Sequence, residues 1–216
     1  MSLHKIVELN FLSTDIYELI LERNDLEFSP GDCVSIKKDP KTLRPYSIAS
    51  GTADEHLRFL IRQMEGGEVS AYLPQLSTGD ALELTPPFGW FRPGQSTADE
   101  EAVFIATGTG IAPFVSYMNS FDKKVSCFYG VRQSSDIVDF DFLNEKSDLF
   151  IATSRERSEH FHGRVSELIK SFEITPDKHY YLCGLDAMID EVSAWLESVG
   201  VDFANIHREV FFHANT

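Results

Sequence analysis

Residues 44–50 of this 216-residue chain, Arg44-Pro45-Tyr46-Ser47-Ile48-Ala49-Ser50, put a guanidinium, a flat phenol and a hydroxyl into one stretch that reads as a strand. Side chains two apart on a strand share a face, so Arg44, Tyr46 and Ile48 are expected on one side, with Ser47 on the other unless the strand ends there. A guanidinium forks onto phosphate oxygens, and a phenol ring can lie flat on a planar heterocycle. The chemistry implied is the grip of a planar ligand that carries phosphate. The same residues also read as a core aromatic beside a strand-end hydroxyl.

A second phosphate signature is Ala106-Thr107-Gly108-Thr109-Gly110-Ile111-Ala112-Pro113-Phe114. It follows an apolar run, 102–105, of the kind that forms a buried parallel strand, and it precedes a helical pattern from 112 to about 118. Glycines let the backbone approach an anion, and the free N–H groups and dipole of a helix start face it. The spacing is not G-x-G-x-x-G. Pro113 suits the first helical turn, where a missing N–H costs little. An ordinary tight strand-to-helix turn would look the same.

The elements around these segments fall into two differently patterned halves. In the first, strands are expected over 5–10, 17–22, 33–37, 45–49, 56–63 and 81–84, with turn residues such as Ser29-Pro30-Gly31-Asp32 and Thr78-Gly79-Asp80 between them. One short helix is expected over 69–76. Six short strands at this spacing imply an antiparallel β-barrel. After the polar stretch 92–98, strands at 103–106, 125–129, 149–153 and 180–183 and a last one ending near 211 alternate with helices after 113, near 140, over 164–171 and over 187–199. That alternation implies a doubly wound parallel sheet of five strands. The expected domains are thus 1–98 and 99–216. Ligands of such sheets sit at the carboxyl ends of strands, where Thr107, Gly130, Ser154 and Cys183 fall.

No apolar run approaches the ~20 residues of a membrane span, and the N-terminus lacks a charged-then-apolar leader. Three widely spaced cysteines (Cys33, Cys127, Cys183) allow neither a disulfide framework nor a four-thiolate cluster, so a reducing cytoplasm is the default. A formal net charge of −15 disfavours nucleic acid as a partner.

Several further marks follow in order: Gly66-Gly67-Glu68-Val69-Ser70, Pro87-Phe88-Gly89, Tyr129-Gly130-Val131-Arg132, Ser154-Arg155-Glu156, Gly163-Arg164-Val165 and Cys183-Gly184. Together with Arg44-Pro45-Tyr46-Ser47 and Gly108-Thr109-Gly110-Ile111-Ala112-Pro113 they run through nearly the whole chain. In that order the chain resembles the ferredoxin–NADP reductase superfamily of flavoprotein reductases, in a form without an iron–sulfur domain. The resemblance implies an N-terminal FAD-binding β-barrel followed by a C-terminal NAD(P)-binding α/β domain.

It also implies roles. Arg44 would grip a flavin phosphate, Tyr46 pack against the isoalloxazine ring, and Ser47 sit close to flavin N5, with Ile48 continuing the strand. The amides of Gly66, Gly67 and Val69 and the Ser70 hydroxyl would hold the flavin pyrophosphate at the start of the 69–76 helix; a hairpin turn before an N-capped helix is the plainer reading. Thr107, Gly108, Thr109, Gly110 and Pro113 would form the nucleotide turn, with Arg132, Ser154, Arg155 and Arg164 also binding the dinucleotide. Cys183, with Gly184, would lie near nicotinamide C4, although a small buried thiol looks identical in sequence. Leu185 departs from the Pro or Asn that often follows in the family. Glu209 and Phe211 match the terminal strand that reaches the flavin, and the tail past Phe212 either covers it or frays. Tyr46, Ser47, Cys183 and Glu209 form the expected catalytic set.

From residue 99 onward ten basic residues face twenty acidic ones, yet Arg155, Arg157 and Arg164 crowd together with His160 and His162. They suit the 2′-phosphate of NADPH, with NADH the other possibility; otherwise they are surface arginines paired with Glu156 and Glu159. Lys37, Lys38, Lys41, Arg44, Arg58 and Arg62 form either a local basic dock for an acceptor protein or a solvated rim. The function expected is an FAD-dependent NAD(P)H oxidoreductase that passes hydride to flavin and single electrons to a protein acceptor. The alternatives are a reductase of free flavin, and a flavin-binding electron-transfer subunit or redox sensor inactive alone.

Overall fold

The computed structural model describes residues 1–96 and 101–210, and divides into two compact units. One comprises Met1–Trp90 with Ala112–Phe121; the other comprises Phe91–Ile111 and the described residues from Asp122 onward.

The first unit is built from β1 (Ser2–Phe11), β2 (Ile16–Glu22), β3 (Cys33–Asp39), β4 (Thr42–Ser47), β5 (His56–Arg62) and β6 (Ala81–Leu84). They pair in the order β4-β3-β6-β1-β2-β5, antiparallel throughout. Ile48 bridges to Phe59, and the Ala49 N–H donates to the Arg58 carbonyl at 2.8 Å, so the two edges meet and the sheet closes. Closure follows from alternation: Tyr17, Leu19 and Leu21 of β2 and Leu57, Phe59 and Ile61 of β5 point inward and are fully or almost fully buried. Each aliphatic or Phe side chain buried this way contributes about 1.5–3 kcal/mol before the entropy of ordering is charged against it. Pro45, which cannot donate to a ladder, sits on β4, whose partner along that stretch is β3 alone. Helix α1 (Ala112–Ser120) belongs with this unit: the Ser116 hydroxyl donates to the Ser50 carbonyl at 2.7 Å, and Asn119 donates to Asp54 at 2.8 Å.

The segment 69–76 is not the α-helix expected. It is a run of turns followed by a 3-10 turn, Leu73–Gln75. Pro74 is the reason. In an α-helix the amide at 74 would donate to the Ser70 carbonyl, and proline has none. The Tyr17 hydroxyl takes that carbonyl instead, at 2.9 Å.

The second unit carries β7 (Ala102–Thr107), β8 (Val125–Val131), β9 (Ser147–Thr153), β10 (Phe161–His162), β11 (His179–Gly184) and β12 (Ile206–Val210), all parallel, in the order β10-β9-β8-β7-β11-β12. Helices α2 (Phe140–Lys146), α3 (Val165–Ile169) and α4 (Asp186–Ser198) alternate with them. Strand order reverses at β7, which has β8 on one side and β11 on the other. The sheet thus has six strands rather than five. The extra one is two residues long, too short to leave a periodic signal, and pairs Phe161 with Ala152 and His162 with Thr153.

Candidate functional site

In the barrel unit, β4 carries Arg44 opposite Ile36, Tyr46 opposite Val34 and Ser47 opposite Cys33. Tyr46 is half-buried against the barrel core, and burial pushes its hydroxyl pKa far up, against a smaller downward pull from Arg44. Ser47 is buried at the strand's end, its hydroxyl 3.4 Å from the Cys33 thiol. Ile48 is completely buried, so the face shared by Arg44 and Tyr46 turns into the core at Ile48.

The structure brings Arg44 to the glycine-rich loop. One Nη donates to the Leu43 carbonyl at 2.9 Å and the other to the Glu68 carboxylate at 2.8 Å. In that loop Gly67 N–H donates to the Met64 carbonyl, Ala71 N–H to the Gly67 carbonyl, and the Ser70 hydroxyl accepts from Met64 N–H at 3.2 Å. The Ser70 side chain therefore closes the loop on itself. No acceptor takes the three successive N–H groups of Glu68, Val69 and Ser70 among the described residues. Consecutive free amides on the loop that Arg44 reaches through Glu68 are donors available to an anion. Gly66, at a φ of +72°, makes the turn that presents them, and a Cβ on Gly67 would meet the Ser70 hydroxyl at 2.3 Å. The donor set fits the pyrophosphate of a flavin dinucleotide without the helix expected behind it.

In the second unit the carboxyl ends of β7 and β11 interlock at the reversal of strand order. The Thr107 hydroxyl accepts the Leu185 N–H at 2.9 Å. Gly184 sits at a φ of +133°, and a Cβ there would meet Thr107 Oγ1 at 2.2 Å; one on Gly110 would meet the Cys183 carbonyl at 2.5 Å. Gly108, Thr109 and Gly110 form a 3-10 turn that leads into α1, where Pro113 is buried in the first turn. Cys183 and Glu209, chosen separately in the sequence, are register partners on β11 and β12, with the thiol 3.8 Å from the carboxylate. Phe211 lies outside the described residues.

The arginine segment follows β9. Ser154 N–H donates to the Val131 carbonyl and Arg155 N–H to the Arg132 carbonyl, which ties it to the carboxyl end of β8. Among the described residues, Glu156 is not paired with an arginine. It accepts from the Ser134 N–H, and hydrogen bonding to Ser134 holds its carboxyl below the usual range. Glu159 lies 3.9 Å from His160. Arg155 and Arg157 are exposed and form no ion pair among the described residues. Arg164 lends a small pull to Glu191, whose carboxyl is held low chiefly by Lys170.

The six cations proposed as a basic dock are largely neutralised. Lys37 pairs with Glu83, Arg58 with Glu18, Arg62 with Asp15 and Arg44 with Glu68, while Lys38 lies over the Tyr72 ring. The rim reading suits them better. Tyr17 and Glu68, to which the sequence alone assigns no role, both contact the loop. Each acts through a partner distant in sequence, so no local pattern reveals the contact.

The two units fall largely on two family matches. The family described as the oxidoreductase FAD-binding domain matches residues 4–92, and the oxidoreductase NAD-binding domain matches residues 104–194. The chain belongs to the ferredoxin–NADP reductase-like oxidoreductases. It is 29% identical over 204 residues to the ferredoxin–NAD(P)(+) reductase component of the naphthalene 1,2-dioxygenase/salicylate 5-hydroxylase systems of Ralstonia sp, covering 87% of this chain and 61% of that protein. It is 28% identical over 234 residues to a ferredoxin–NADP reductase of Azotobacter vinelandii, with 93% and 91% covered. The ferredoxin NADP+ reductase of Neisseria gonorrhoeae, solved with bound FAD and NADP, superposes with a TM-score of 0.87 over 98% of both chains at 20% identity, a likeness of fold. The chain spans about three fifths of the length of several curated relatives it matches. No helix among the described residues is long and apolar enough to cross a membrane.

Proposed function

We propose that this protein is an FAD-dependent NAD(P)H reductase that takes hydride from the nicotinamide and delivers electrons to an acceptor protein. The observation that carries this reading is the convergence of the Arg44 guanidinium on a loop with three free amides, on the barrel strand that also bears Tyr46 and Ser47. Bound FAD would supply the chemistry, accepting two electrons as hydride and releasing them singly. The chain supplies position. Arg44 and the amides of Glu68, Val69 and Ser70 hold the pyrophosphate, Tyr46 flanks the ring, and Ser47, backed by Cys33, offers a hydroxyl to it. Tyr46 stays protonated, since burial disfavours its phenolate.

For the nicotinamide nucleotide, the turn 108–110 takes the pyrophosphate and Arg132 and Ser154 flank it. Cys183, Gly184 and Glu209 close the end of the sheet where the nicotinamide docks. No general base is required, because hydride leaves carbon directly. The exposed Arg155, Arg157 and Arg164 favour NADPH over NADH through the 2′-phosphate. The three free thiols suit the cytoplasm.

An anaerobic visible-absorbance titration tests the reading. A yellow protein bleached at much lower NADPH than NADH is the expected result. A chain that stays colourless after incubation with FAD and removal of the excess would overturn it.

A further inference from the structure

We infer that Glu68 is a built-in competitor for the ligand phosphate at Arg44, and so sets how tightly the chain retains its flavin. The inference rests on the FAD reading above and goes beyond it. Among the described residues, three ion pairs brace the barrel wall. Lys37 and Glu83 are register partners on β3 and β6, Arg58 lies diagonally across from Glu18 on β5 and β2, and Arg62 pairs with Asp15 just before β2. A further pair, Arg44 to Glu68, joins a strand to the glycine-rich loop.

Its geometry is that of a substitute ligand. Glu68 Oε2 accepts from Arg44 Nη2 at 2.8 Å, the kind of charged oxygen contact that a phosphate would make. The two side chains are 41% and 55% exposed, so the pair is screened and exchanges readily. Glu68 also supplies the first of the three free amides. A phosphate that displaces the carboxylate from Arg44 therefore docks on the backbone of the residue it displaced, with that negative charge still nearby. Both the lost ion pair and the remaining repulsion oppose phosphate binding, and neither acts on a flavin without phosphate.

The test is equilibrium binding of FAD, FMN and riboflavin to the full apoprotein, for the native chain, Glu68→Gln, Arg44→Ala and the double variant. Glu68→Gln is expected to tighten FAD and FMN roughly two- to fivefold, as removal of an exposed pair allows, and to leave riboflavin unchanged. The gain should vanish in the Arg44→Ala background and shrink in 1 M salt, where the Debye length is about 3 Å. Weaker FAD binding by Glu68→Gln, an equal shift for riboflavin, or a gain that survives Arg44→Ala would overturn the competitor role while leaving the FAD reading intact. Failure of the native chain to bind FAD at all would overturn both.

Discussion

The Tyr17 hydroxyl, inside the barrel, donates to the Ser70 carbonyl at 2.9 Å, joining residues 53 apart in sequence. It occupies the acceptor that Pro74 leaves without a helical donor. The glycine-rich loop is thereby fastened to the barrel core, and the shape of a candidate pyrophosphate site depends on a residue outside every motif.

Tyr17→Phe removes that donor and leaves a carbonyl beside an apolar core. The expected cost is about 1–3 kcal/mol of unfolding free energy, read from urea denaturation, together with weaker FAD binding. A variant as stable as the native chain would show that the bond does not fasten the loop.

Stability should fall on the alkaline side. Burial pushes the Cys127 thiol from 9.0 up to about 12 and raises the Tyr17 and Tyr46 hydroxyls well above 10.0. Above those ordinary values the unfolded chain releases protons that the folded chain keeps, so the stability present below pH 9 is lost as pH rises, by at most about 1.4 kcal/mol per pH unit for each group. Urea midpoints should begin to drop near pH 9 and steepen past 10. Cys127→Ala should delay the onset to the tyrosine range; a midpoint constant to pH 11 would contradict the assignment.

Gly184→Ala places a Cβ 2.2 Å from Thr107 Oγ1 at a φ of +133°. Strain and clash together should cost about 2 kcal/mol or more and abolish tight NADPH binding, while the barrel keeps its flavin. Calorimetry and nucleotide titration report the two effects separately.

Arg155→Ala should raise the KM for NADPH about tenfold to a hundredfold, the worth of a charged hydrogen bond, and barely change that for NADH. Equal changes for the two nucleotides would remove Arg155 from the 2′-phosphate site.

The alternation of β2 and β5, the Arg44–Ser47 strand and the interrupted apolar runs of the second half were all legible in the chain, because each is a local pattern of period two or a glycine-rich turn after a buried strand. The helix expected over 69–76 failed because apolar spacing is blind to what a carbonyl bonds elsewhere. Pro74 was visible, but Tyr17 as its substitute was not. Arginines at 155 and 157 were legible as cations, and only the structure assigns Glu156 to Ser134 instead of to them.

By itself, then, the order of residues determined the two-part architecture, the candidate cofactors and the strand that carries Arg44, Tyr46 and Ser47, since these follow from side-chain type and short-range spacing. Tertiary structure alone decided that Cys183 meets Glu209, that Gly110 and Gly184 must lack a Cβ, and that Glu68 sits on the Arg44 guanidinium. Those contacts join segments tens of residues apart. Their distances are set by sheet register and loop closure, which depend on how the whole chain packs.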